Sequence, residues 1–129
     1  MTDAKTVATP AEYNTHLSTE MSNNTLEITV PYREAIGSLM FAACISRPDI
    51  MYAVSVVSRY LTKPGHEHWL AVKRILRYIK GTINYGIVYE GTVEDWRLIG
   101  FTDADYAGDQ DTRKSTSGYI FTLCGGPVS

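Results

Sequence analysis

The sequence predicts an α+β fold, helices first and strands after, and three observations carry that prediction. Between Pro31 and Gly81, three consecutive stretches repeat apolar residues at spacings of three and four. From Ile83 onward the repeat changes to two, and clusters of Gly, Pro and Asp separate the runs. With 129 residues, 44% hydrophobic and 20% charged, the chain has enough apolar side chains for one small domain or a domain with a ragged neighbour.

Residues 1 to 30 are rich in Thr, Asn, Ser and Glu and hold no sustained period, which predicts an extended, poorly ordered leader. Pro31 suits a helix start, and Ile36, Leu39, Met40, Ala43 and Cys44 then form one apolar stripe. Arg47-Pro48 ends that helix, because the residue before proline is pushed out of the α region. Pro48 also opens a second helix, with Asp49 near its positive end and Ile50, Ala53, Val54, Val57 and Leu61 on one face. Lys63-Pro64-Gly65 stops it. A third helix runs from His66 to Lys80, burying Trp69, Val72, Leu76 and Ile79, and Gly81 closes it. The first two read as a short antiparallel pair, across which the third returns.

The next segment, Ile83, Tyr85, Ile87 and Tyr89, alternates as a strand does. A turn from Gly91 to Asp95, a second extended run from Trp96 to Asp103, a polar loop from Ala104 to Thr116 and a third strand from Gly118 to Cys124 follow. Gly125-Gly126-Pro127 reads as a hairpin-type turn, and Val128-Ser129 begins an element that the sequence does not finish. The organisation expected is therefore a leader over 1–30, a three-helix unit over 31–82, and an incomplete antiparallel sheet over 83–129.

The net charge of −2 hides an asymmetry. Residues 59 to 80 carry Arg59, Lys63, Lys73, Arg74, Arg77 and Lys80 against Glu67 alone, whereas Glu90, Glu94, Asp95, Asp103, Asp105, Asp109 and Asp111 are opposed only by Arg97. Lys73, Arg77 and Lys80 follow at spacings of four and three with Arg74 beside them, on the flank away from the apolar stripe. Such a flank attracts phosphates without regard to base sequence, or serves as a solubilising face. No run approaches the ~18 consecutive apolar residues of a membrane span, and no basic stub with an apolar core follows Met1, so an intracellular protein without membrane contact is expected. Asn23-Asn24-Thr25 is then an idle glycosylation match. Cys44 and Cys124, each among apolar neighbours and without zinc-ligand spacing, read as reduced core thiols.

His66 and His68 are two apart, not four as in a zinc helix, and read as helix-start residues. Trp69 reads as core, and Asp109 and Asp111 as parts of a solvated turn. Asp105 shares a sheet face with Asp103 if the strand continues that far.

Several phrases, taken in order, resemble the copia-type Pol proteins of long-terminal-repeat retrotransposons. They are Pro31-Tyr32-Arg33-Glu34-Ala35-Ile36-Gly37-Ser38-Leu39-Met40, Arg47-Pro48-Asp49-Ile50, His68-Trp69, and Ala71-Val72-Lys73-Arg74-Ile75-Leu76-Arg77-Tyr78-Ile79-Lys80-Gly81-Thr82. Further on come Gly100-Phe101-Thr102-Asp103-Ala104-Asp105-Tyr106-Ala107-Gly108-Asp109 and Arg113-Lys114-Ser115-Thr116-Ser117-Gly118-Tyr119. The resemblance implies the end of the reverse transcriptase region, with 31–82 similar to the thumb or connection that grips the template-primer duplex, followed by the first strands of a ribonuclease H-like domain. It also implies that Met1 corresponds to an internal position of a longer polyprotein.

By the same resemblance Asp103 matches the first metal-binding carboxylate of the ribonuclease H, with Asp105 the second candidate ligand. That chemistry gathers several carboxylates around two divalent ions about 3.5–4 Å apart. The intact parent would use Mg2+ or Mn2+, and the later ligands would lie beyond Ser129. A polymerase palm needs paired aspartates, and no Asp-Asp dipeptide is present. The expectation is a piece of the polymerase and ribonuclease H polyprotein that is noncatalytic and cofactor-free alone. Lys73, Arg74, Arg77 and Lys80 would contact an RNA–DNA hybrid or other duplex, and the remainder of the Pol polyprotein would be a partner. The rival expectation is a host-adopted structural or protein-interaction module without nucleic-acid chemistry.

Overall fold

Pro31 stands at the N-cap of α1, Tyr32–Ile45, whose first turn gains Glu34 near the positive end of the helix dipole. The structure, a computed structural model, describes residues 3–12, 17–23, 30–90 and 96–129 and divides into two compact units, Met1–Tyr85 and Gly86–Ser129. In the first unit, a single 3-10 turn at Pro48–Ile50 leads into α2, Met51–Ser58, and α3 spans His66–Gly81. The second unit holds β1, Ile99–Ala104, β2, Ser117–Leu123, and β3, Gly126–Pro127, in the antiparallel order β1-β2-β3. The α+β class expected is the class observed.

The helical core is built from Ile36, Leu39 and Ala43 of α1, Ile50, Ala53, Val54 and Val57 of the Pro48–Ser58 segment, and Val72, Ile75 and Tyr78 of α3. The Tyr32 hydroxyl donates to the Val57 carbonyl at 2.8 Å, tying the start of α1 to the end of α2, and its ring meets Trp69 at 6.3 Å. Burial pushes the Tyr32 hydroxyl pKa up.

The stripe of α1 is narrower than its sequence predicts: Tyr32, Ile36, Leu39 and Ala43 are buried, while Met40 and Cys44, one position round the helix, are exposed. Cys44 is thus not a core thiol, and Cys124 is half-buried; both are free. In α3 the most buried side chains are His68, Val72, Ile75 and Tyr78, with Trp69, Leu76 and Ile79 packed at the margin. The buried face of α3 is turned toward Ile75 and Tyr78, and the Tyr78 hydroxyl there meets a polar partner.

That partner is Asp49. Arg47, only 8% exposed, forms a two-pronged pair with it (Nε–Oδ1 2.9 Å, Nη2–Oδ2 2.8 Å) and also donates to the Thr82 carbonyl at 3.1 Å and hydroxyl at 2.6 Å. Tyr78 donates to Asp49 Oδ2 at 2.8 Å, and the Arg47 guanidinium lies 5.5 Å from the Tyr78 ring centre and 6.0 Å from that of Tyr85. The network fastens the end of α3 to the start of the 3-10 turn. The hydrogen bond from Arg47, reinforced by that from Tyr78, holds the Asp49 carboxyl below its usual pKa. A carboxylate favoured in the folded state stabilises above its unfolded pKa and loses that contribution as pH falls through its folded one. Urea midpoints of the protein are therefore expected to fall as pH drops below about 4, and Asp49→Asn to flatten that acid limb.

In the second unit, β1 pairs with β2 from Ile99↔Thr122 to Ala104↔Ser117. The expected hairpin turn is displaced: Leu123 pairs with Gly126, so Cys124-Gly125 is the two-residue loop. Both loop residues have positive φ, 50° and 77°, the left-handed geometry of a type I′ turn, for which Gly125 is well suited. Gly126-Pro127 becomes an edge strand, where the missing Pro127 N–H costs no ladder bond.

The predicted strand at 83–89 does not form among the described residues. Tyr85 N–H instead closes a turn onto the Thr82 carbonyl, and Glu90 N–H makes a single backbone bond to Cys124. Alternation supplies a face, but a strand also needs a ladder partner. The predicted turn from Gly91 to Asp95 and the Asn24-Thr25 part of the sequon lie outside the described residues.

Candidate functional site

α3 carries Lys73, Arg74, Arg77 and Lys80 on one flank. Lys73, Arg74 and Arg77 line a half-open groove of about 870 Å³ whose floor includes Ala53, Val57 and Ile75. The guanidinium Nε atoms of Arg74 and Arg77 are buried without a hydrogen-bond partner. A buried N–H left unpaired costs roughly 1–3 kcal/mol.

The described part of the leader, expected to be poorly ordered, runs along α3 in the opposite direction. Lys80 Nζ donates to the Ala4 carbonyl at 2.8 Å, Arg74 Nη2 donates to Thr9 Oγ1 at 3.0 Å, and Arg74 Nη1 lies 3.8 Å from Glu12. Beyond this, Tyr60 donates to the Leu17 carbonyl at 2.7 Å, and Ser22 of the 3-10 helix Thr19–Asn23 donates to the Lys63 carbonyl at 2.7 Å. Val7, Ala11 and Leu17 pack on the core. A segment held by scattered carbonyl, hydroxyl and carboxylate contacts and by three irregularly spaced apolar side chains shows no sustained period, which is why the sequence carried no sign of it.

His68 is a structural residue at the start of α3, as its spacing from His66 suggested. Its Nδ1 accepts the Gly65 N–H at 2.8 Å, so Nε2 bears the proton and donates to the Ser18 carbonyl at 3.2 Å, while the ring stacks on Tyr60 at 4.0 Å. Gly65 must be glycine, because a Cβ there would overlap the Met21 carbonyl oxygen.

Asp103 lies near the end of β1, exposed, with Oδ1 accepting the Ala104 N–H at 2.8 Å. Asp105 falls just past the strand, and its Oδ1 accepts the Thr116 N–H across the loop. Asp109 accepts the Asp111 and Thr112 N–H groups at 2.9 and 3.0 Å, as a turn residue does. No group of three or more His, Cys, Asp or Glu side chains able to hold a metal ion occurs among the described residues. These donors do not fit a two-metal centre, and no hydrolytic step follows from them. Among the described residues, no helix is long and apolar enough to cross a membrane.

A helical unit with a basic flank and a small antiparallel sheet define a two-unit α+β module, and the comparisons with known proteins place it. The chain is 50% identical over 134 aligned residues to the Retrovirus-related Pol polyprotein from transposon TNT 1-94 of Nicotiana tabacum, covering 100% of this chain and 10% of that protein. It is 41% identical over 129 residues to the Retrovirus-related Pol polyprotein from transposon RE2 of Arabidopsis thaliana, covering 100% and 9%. With the Secreted RxLR effector protein 161 of Plasmopara viticola it shares 46% identity over 102 residues, 78% of this chain and 70% of that protein. The chain belongs to the family that these proteins share, sequences homologous to one stretch of retrovirus-related transposon Pol polyproteins. It spans about a tenth of the length of the Pol polyproteins it matches. No family model and no solved structure matches it.

Proposed function

We propose that the chain is a supporting, noncatalytic piece of a copia-type reverse transcriptase and ribonuclease H polyprotein, whose α3 grips the backbone of an RNA–DNA hybrid. The observation that carries this reading is the basic flank: Lys73, Arg74 and Arg77 line one groove. Lys80 extends the same flank by one turn. Recognition of this kind reads phosphates, not bases, and weakens steeply with salt. In this reading Asp103, with Asp105 nearby, is the first ribonuclease H carboxylate of the intact polyprotein. Mg2+ or Mn2+ and the remaining Pol segments are needed to complete that site.

The test is binding of the purified chain to an RNA–DNA hybrid across a salt series, with Lys73, Arg77 and Lys80 changed together to Ala. The wild type is expected to bind with a negative log–log salt slope, and the triple variant to lose affinity at least tenfold while its slope shrinks by about 2–3, near 0.9 per phosphate contact removed. A folded wild-type chain that binds no hybrid at low salt sinks the reading.

A host-adopted protein-interaction module is favoured by two other observations. Phe41 and Ile45 of α1 are 70% and 65% exposed, and the Plasmopara viticola effector consists mostly of the matching stretch. An absence of hybrid binding alongside cooperative folding would direct attention there.

A further inference from the structure

We propose that residues 4–12 are an intramolecular strap, which competes with the phosphates of a bound polyanion for the basic flank of α3. The inference rests on the duplex-gripping reading above and adds a regulator to that site.

The strap uses the groups that a nucleic acid would use. The Ala4 carbonyl takes Lys80, Thr9 Oγ1 takes Arg74, and the Glu12 carboxylate sits 3.8 Å from the same guanidinium as a stand-in anion. Thr6 packs over Gly81, between these anchors and the end of the helix. Its cover is nevertheless a poor match, since Arg74 Nε and Arg77 Nε are left buried and unpaired. Neutral carbonyl and hydroxyl acceptors bind cations more weakly than phosphate oxygens, which also satisfy a guanidinium in bidentate fashion. A ligand offering several phosphates therefore gains more from the flank than the strap does, and binding requires residues 4–12 to lift away. An equilibrium between strapped and open forms lowers apparent affinity by the fraction of open form.

The strap can be locked and released in one molecule. A Cβ at residue 81 would lie 3.1 Å from the Thr6 Cβ, a few tenths inside the roughly 3.5–4.5 Å span of a disulfide. In a chain carrying Cys44→Ser and Cys124→Ser, the pair Thr6→Cys and Gly81→Cys can be oxidised to hold the strap down and reduced to free it. The probe is the same RNA–DNA hybrid at low salt, and circular dichroism of both forms checks the fold. The oxidised form is expected to bind at least tenfold more weakly than the reduced form. Thr9→Ala with Glu12→Gln, which removes the contacts to Arg74 without a crosslink, is expected to tighten binding two- to fivefold. Equal binding by oxidised and reduced forms overturns the strap and leaves the duplex-gripping reading standing. Failure of the folded, reduced form to bind overturns both.

Discussion

Replacing Arg47 by methionine is expected to lower the stability of the helical unit by roughly 3 kcal/mol, read as a fall in the urea midpoint at unchanged slope. The side chain is nearly enclosed and supplies four hydrogen bonds, two to Asp49 and two to Thr82. Its loss leaves the Thr82 groups without this donor and the Asp49 carboxylate without its charged partner. Asp49 is 36% exposed at its side chain, so water recovers part of the lost interaction, which sets the effect at the low end for a broken buried pair. A double-mutant cycle with Asp49→Asn separates the terms: if the stranded carboxylate matters, adding Asp49→Asn to the Arg47→Met background recovers part of the loss. A loss under 1 kcal/mol for the single variant would show that the network adds little to packing.

Ile75→Ala is expected to cost about 2–5 kcal/mol, whereas Leu76→Ala, its neighbour in sequence, should cost less than half as much. Ile75 is 1% exposed and belongs to the buried core, while Leu76 is only partly buried. Thermal or urea unfolding of the two variants side by side decides which way α3 is rolled. Equal losses, or a larger loss at Leu76, would restore the stripe of Trp69, Val72, Leu76 and Ile79 that periodicity alone suggests.

That contrast shows how far a helical period can be read. Spacings of three and four placed all three helices within a few residues, because amphipathic patterning and proline stops are local properties. They left the face of α3 open by one residue, about 100° of rotation, since Trp69, Ile75, Leu76 and Ile79 are all apolar enough to face inward. Packing against elements distant in sequence buries Ile75, and the Tyr78 hydroxyl on that side meets Asp49 from 29 positions earlier. Likewise the Arg47-Pro48-Asp49 phrase announced a helix boundary, but its salt bridge and its grip on Thr82 depend on where α3 ends in space.

In the sheet, the run of Tyr119, Ile120, Phe121 and Leu123 was legible as a strand, and its pairing with β1 is antiparallel as expected. The alternation of Ile83, Tyr85, Ile87 and Tyr89 was equally clear and misled, since it met no ladder partner among the described residues. The turn moved to Cys124-Gly125 because a two-residue loop matches strand twist when both residues take positive φ.

Local patterning was enough to set the α+β class, the order of the three helices, the two longer strands, the basic flank of α3 and the homology to a stretch of transposon Pol polyproteins. Each of these is written in neighbouring residues or in the order of short phrases. The three-dimensional fold was needed to lay the leader on that flank and to leave buried N–H groups of Arg74 and Arg77 without partners. It also gathered no group of three or more His, Cys, Asp or Glu side chains able to hold a metal ion among the described residues. Those outcomes depend on backbone carbonyls and on distances between residues far apart in the chain, and neither leaves a period in the sequence.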